Sequence, residues 1–295
     1  MDVWIGENLL TSYIYSDNFK PFLYPVYTAN GNPVTRGYPI NPRSGEATDH
    51  PHQVGFWLNY GDVNGLDFWN NSERIPSEAR ERYGTIAHID IENMEYNGNS
   101  AVLEVVKHWL TSEGVVLIVE NTRYHFSLYS NRGAGDIRMI DRITRLTAQD
   151  SDIVFTDNKE GMLGLRVARE LEHHDRHDDA TGLYISSEGF TGHDVWGTRN
   201  KWMNLIGQIG DEKVSIAIFD HPGNIGFPTY WHARGYGLYA ANPLGKLEMS
   251  GGFEELNYQL ASGTSLTFMH RVILSSGEHI SREELEKFWQ EWTQY

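Results

Sequence analysis

The chain contains no cysteine, which excludes disulfides, thiolate nucleophiles, zinc ribbons and iron–sulfur clusters together. A metal would have to be held by histidine and carboxylate. Basic residues are scarce: 24 Lys and Arg stand against 40 Asp and Glu, a formal net charge of -16, and that balance repels phosphate backbones and anionic membrane surfaces. Neither nucleic acid nor a membrane is expected as a partner. No stretch approaches the roughly 20 apolar residues of a spanning helix. The opening MDVWIGENLL places Asp2 and Glu7 where a secretory signal would carry Lys or Arg, so a cytoplasmic location is expected. Internal repeats and Pro/Gly/Ser linkers are also missing. The 295 residues therefore read as a single domain, 1–295, and a β-propeller, which needs a repeat, is set aside.

Strand signals are abundant. Val214, Ile216 and Ile218 alternate with Ser215 and Ala217, and Leu266, Phe268, Val272 and Leu274 share one parity, the period of two that a strand requires. Further runs at 86–91, 101–110 and 115–119 are joined by Asn97-Gly98-Asn99 and Ser112-Glu113-Gly114, which predicts a β-meander. Helix signals are rare. Ser281 with Glu284 forms a capping box, and Leu285, Phe288, Trp289 and Trp292 then follow at i, i+3, i+4 and i+7. This predicts a helix over 282–293 lying on the outside of a sheet, with a shorter helical turn near 76–83. Many antiparallel strands with almost no helix predict a large all-β sandwich whose concave face is a natural cleft.

Four clusters concentrate reactive and aromatic side chains. In Asp49-His50-Pro51-His52, an extended segment would point both imidazoles to one side, suiting proton transfer or a metal; loop histidines bonded to backbone are the alternative. In Asp157-Asn158-Lys159-Glu160-Gly161, with Arg166 beyond, Glu160 is a candidate general base and Lys159 a hydroxyl contact, against a plain solvated turn. Trp196 and Trp202 flank Arg199 as stacking walls for a pyranose or as core residues. The densest cluster holds His221, then Tyr230-Trp231-His232-Ala233-Arg234-Gly235-Tyr236, a concentration unusual for a surface loop. The run from His173 to Asp179 looks like a metal box but has no apolar frame. It reads as a solvated loop that binds metal adventitiously.

The strings KPFLYPVYTANGNPVTRGYP, DHPHQVGFWLNYGDVNGLDFW, FTDNKEGMLGLRVARELE, SEGFTGHDVWGTRNKW and FDHPGNIGFPTYWHARGYGLYAANPLG, in this order, resemble the bacterial family labelled methane oxygenase PmoA. Where the first motif of that family commonly continues with a third His and an Arg, this chain has Gln53 and Val54. The label's chemistry belongs to an integral membrane protein and does not transfer to a chain without a spanning segment. The resemblance implies a sandwich like that of galactose mutarotase and a setting in sugar catabolism. Taken with the clusters, it gives the expectation of a carbohydrate-active enzyme using His and carboxylate acid–base chemistry on a sugar or keto-sugar: an epimerase, a lyase or a hydrolase of an oxidised glycoside. His50, His52, His232 and either Glu160 or Asp157 would carry protons, with His221 a weaker candidate. Lys159, Arg166, Arg199, Arg234 and Tyr236 would hold oxygens, and Trp196 and Trp202 would stack. No cofactor is required. The alternatives are a non-catalytic sugar-binding or regulatory protein and a hydrolase or lyase whose divalent metal sits on His50, His52 and His232 or His221.

Overall fold

The computed structural model of the chain describes residues 1–16, 18–130 and 136–294. Two antiparallel sheets dominate. One contains, in spatial order, β1 (Asp2–Ile5), β2 (Asn8–Ile14), β3 (Phe22–Val26), β4 (Phe56–Tyr60), β10 (Gly161–Arg166), β15 (Leu238–Asn242) and β14 (Tyr230–Ala233). The other runs β11 (Leu183–Ser186), β12 (Trp202–Ile209), β13 (Glu212–Asp220), β17 (Ser265–Ser276), β8 (Asp136–Ala148), β7 (Val116–Ser130), β6 (Ser100–Leu110) and β5 (Thr85–Tyr96). A small ribbon pairs β16 (Tyr258–Leu260) with β9 (Ile153–Phe155). The predicted meander is present as β5 to β8, consecutive in both sequence and space.

One apolar cluster joins the facing sides of both sheets, with Leu58, Leu165, Trp231 and Tyr239 from the first against Val105, Ile118, Phe126 and Ile216 from the second. This is the interior of a β-sandwich. A second cluster lies on the far side of the eight-stranded sheet, where α1 (Arg282–Trp292) covers Trp202, Ala217, Phe219 and Ile273 with Leu285, Phe288 and Trp292. The capping box at Ser281 and Glu284 is formed as predicted, and the short turn expected near 76–83 is a 3-10 segment, Ser77–Arg82. Among the described residues no helix is long and apolar enough to cross a membrane.

The seven-stranded sheet behaves differently on its far side. Every residue of β4, β10, β14 and β15 is buried, so these strands show none of the in–out alternation of a half-solvated sheet. Long connections fold over that face, and they contain most of the clusters singled out in the sequence.

Candidate functional site

Cross-strand pairing defines the floor. Trp57 pairs with Gly164, Gly164 with Ala240, and Ala240 with His232; directly opposed residues of an antiparallel sheet share a face. Trp57 and Ala240 belong to a third apolar cluster with Phe22, Tyr24 and Trp69, so this row lies on the side away from the sandwich interior. The small residues at its centre matter. A Cβ at Gly164 would stand 2.4 Å from Trp57 Cζ2, so glycine there lets the indole lie against the sheet.

The wall nearest β4 is organised by a buried guanidinium. Arg36 donates from Nη1 to Asp49 O (3.0 Å) and Asp49 Oδ1 (2.9 Å), and from Nη2 to His50 O (2.8 Å) and Gln53 O (3.1 Å). His50 lies in the left-handed region at φ 43, and Gln53 N–H donates back to His50 O at 3.0 Å. The segment is thus a turn and not the extended stretch expected from His-x-His spacing. The two rings still meet, edge to face with centroids 5.6 Å apart, because the turn brings them together. A non-glycine residue held at positive φ is strained, and such positions concentrate at functional sites.

Arg166, fully buried on β10, extends this wall. Its guanidinium donates to Gln53 Oε1 and, at 3.2 Å, to Asp49 Oδ1. It lies 4.7 Å from the centroid of Tyr236, and Tyr236 stacks in turn on His50 at 5.1 Å with 3° between planes. Asp49 Oδ2 approaches His50 Nδ1 at 2.8 Å. Burial works to raise the Asp49 carboxyl, but Arg166, His50 and Arg36 outweigh it and hold it below the usual carboxylate range.

Opposite this wall, His232 Nδ1 stands 3.1 Å from Lys159 O. A carbonyl can only accept, so Nδ1 carries the proton and Nε2 the lone pair. Burial, reinforced by Arg234, pushes His232 down to about 3, which keeps the ring neutral. Glu160 Oε2 lies 3.9 Å from that ring. Burial raises the Glu160 carboxyl, with Lys159 opposing. The loop holding Glu160 is fixed by Asn242 Nδ2, which donates to Asn158 O (2.9 Å) and Lys159 O (2.8 Å).

Beside His52 opens a pocket of about 200 Å³, lined among others by Lys20, Tyr38, His52, Asn71, Ser72 and Arg74. Lys20 is buried, donates from Nζ to His52 O at 2.6 Å and sits 5.5 Å from the Trp57 ring. Burial lowers it to about 7, with Asp67 acting the other way. His52 is driven to about 2 by burial, then by Lys20, His50 and the two arginines.

The structure thus gathers His50, His52, Glu160, His232, Arg166 and Tyr236 around one face. Arg234 joins them at the rim, its guanidinium 4.6 Å from the half-buried Trp196 ring. Other sequence candidates have structural duties. The Asp157 carboxylate accepts from the backbone N–H groups of Lys246, Leu247 and Leu256. Lys159 Nζ pairs with Glu248 at 2.8 Å. Arg199 donates to Pro228 O, Gly226 O and Phe227 O. Trp202 is core beneath α1, its Nε1 donating to Glu286 at 3.2 Å, and His221 packs edge-on against Trp292 at 5.1 Å. Both therefore belong to the opposite side of the molecule from the face that carries His232 and Arg166. Sequence reasoning missed Lys20, Arg36, Gln53 and Asp67 as site residues. Their signal was present only in the motif strings, because an isolated Lys or Arg in a strand or loop looks like surface.

The metal ligands expected from His50, His52 and His232 or His221 do not converge. Among the described residues, the ligand atoms that do are those of His173, Asp175 and His193, all within 4.8 Å of one another. No curated protein matches the chain. The family of unknown function DUF6807 matches residues 1–290, and with nearly the whole sandwich covered the chain belongs to that family.

Proposed function

We propose that the cleft on the far face of the seven-stranded sheet takes a small sugar or keto-sugar and transfers a proton at one of its carbons. The observation that carries this reading is the pairing of a carboxyl raised by burial, Glu160, with a neutral imidazole 3.9 Å away, His232, facing a second imidazole backed by a carboxylate, His50 with Asp49 at 2.8 Å. Opposed environments of this kind separate an acid from a base in one site. Glu160, whose carboxyl burial raises, is the proton donor. His50 receives one, and Asp49 stabilises the imidazolium as a carboxylate does behind a catalytic histidine. His232 and His52, held neutral, serve as hydrogen-bond partners. Arg234 binds an oxygen and Trp196 offers its ring to an apolar sugar face, while the buried Arg166 and the Tyr236 ring stacked between it and His50 hold the wall in place.

A sugar is favoured by the half-buried Trp196 ring beside the Arg234 guanidinium, 4.6 Å away, an aromatic surface next to a hydrogen-bond donor. The resemblance of the motif strings to a family with a galactose-mutarotase-like sandwich points the same way.

The test is solvent exchange. Monosaccharides and their keto derivatives are incubated with the protein in D₂O, and loss of carbon-bound proton signals is followed by NMR. Exchange or turnover of at least one of them is expected, and Glu160→Gln should slow it by roughly 10² to 10⁴ while binding stays within about tenfold. Tight binding with neither exchange nor product for any sugar would overturn proton transfer and leave a binding protein.

A further inference from the structure

We infer that His173, Asp175 and His193 form a binding site for a divalent transition metal of the zinc class, and that the metal ties the turn leading to Trp196 to the 173–175 segment, which backs the turn of Arg234 and Tyr236. The sequence reading of 173–179 as an unframed solvated loop holds for His174 and Asp178, which are exposed, but not for His173, whose side chain is 6% exposed. Its backbone N–H donates to Gly235 O at 2.9 Å, between Arg234 and Tyr236. His193 comes from a separate 3-10 turn, Gly192–Val195. Asp175 bridges the two, with Oδ1 2.8 Å from His173 Nδ1 and Oδ2 2.9 Å from His193 Nε2. The imidazole centroids lie 4.1 Å apart at 34°.

The chemistry of this donor set is that of a metal. Two imidazoles and a carboxylate are a common three-ligand set for zinc and related ions, leaving further positions for water. Without metal, both imidazole N–H groups satisfy Asp175. A divalent cation takes the lone pair of the nitrogen that faces it, the ring proton moving to the other nitrogen, and because an imidazolium has no lone pair to give, acid competes with the metal. The site is made by the fold and not by the histidine-rich run, since it draws on residues from two segments. His177, in the same run, lies with Nε2 3.7 Å from Glu172 instead. The glycine at 235 is what lets the rings seat: a Cβ there would stand 2.7 Å from His193 Cε1 and 3.4 Å from His173 Cβ. Metal at this point would pin the 3-10 turn, whose C-cap residue is Trp196, to the 173–175 segment, which is itself bonded through His173 N–H to Gly235 O between Arg234 and Tyr236. One rim of the cleft is thereby stiffened from behind, with no metal in the cleft itself.

The experiment is titration of the full chain with Co²⁺, read by visible d–d absorption, followed by displacement with Zn²⁺. A single equivalent is expected. His193→Ala and Asp175→Asn, both at exposed positions, should weaken Co²⁺ by more than about tenfold with the β-sheet circular dichroism unchanged, whereas His174→Ala and His177→Ala should stay within about threefold. Failure to bind Co²⁺ or Zn²⁺ would overturn the site, as would equal affinity in His193→Ala. Equal loss in His174→Ala or His177→Ala would show instead that the histidine run binds metal by itself.

Discussion

Burial acts in opposite senses on the residues that frame the cleft. It raises Glu160 and lowers His52, His232 and Lys20, so each is biased toward its uncharged form. Lys20 yields a stability prediction with a definite sign. Its ordinary value of 10.5 falls to about 7 in the folded chain, so between these values the unfolded chain holds a proton that the folded one has released. Stability therefore rises with pH across that window. Urea unfolding should show that wild type gains more stability between pH about 7 and about 10 than Lys20→Met does; equal gains would mean that Lys20 titrates normally. For Trp202, the packing under α1 predicts a folding defect of about 3–5 kcal/mol in Trp202→Ala, seen as a lower melting temperature. Trp196→Ala, at the rim, should lose sugar binding by roughly 1 kcal/mol with melting nearly unchanged.

Elements with a plain period or cap were legible in the sequence. The strands β5, β6, β13 and β17 and the helix α1 came from alternation and capping alone, although β13 is covered on both faces and pairs with the distant β17. The sheet of the cleft was harder to read. β4, β10, β14 and β15 are buried on both faces and carry no alternation, and the turn at His50 depends on Arg36, distant in sequence. Candidate residues fall together on one face where clusters are contiguous, as at His232 and Arg234, and lie apart from it where a neighbour in sequence faces the other way, as with Trp202 and His221. The helix offers a direct check. Leu285→Ala and Phe288→Ala should each destabilise by about 2–5 kcal/mol, and Ser281→Ala, which removes the cap, by about 1 kcal/mol. Unchanged denaturation midpoints would show that α1 contributes no packing energy.

At the scale of the whole sandwich, a charged cluster sits between the sheets. Glu120, fully buried, accepts from Lys107 Nζ at 2.7 Å, Trp109 Nε1 at 2.8 Å and Arg142 Nη2 at 3.0 Å. Burial alone would raise its carboxyl, but Lys107 and Arg142 prevail and hold it at about 2. The folded chain thus keeps Glu120 ionised where the unfolded chain protonates it, and the stabilisation is lost as pH falls from about 4.5 toward about 2. Glu120→Ala should cost about 3–5 kcal/mol near neutrality, because two cations are left buried without their partner. That loss should shrink in acid, and a pH-independent loss would show that Glu120 acts by packing alone.

The double burial of β4, β10 and β15 has a consequence in time. Their amide hydrogens lie beneath the opposing sheet on one side and the cleft loops on the other, so they should be among the last to exchange with deuterated solvent, opening only when the molecule unfolds globally. The edge strand β5 should exchange early. A ligand seated over Trp57 and Gly164 would therefore leave the already slow floor unchanged and slow the turn around His50 instead, so the site would register in exchange as a loop gaining the protection of the strands beneath it.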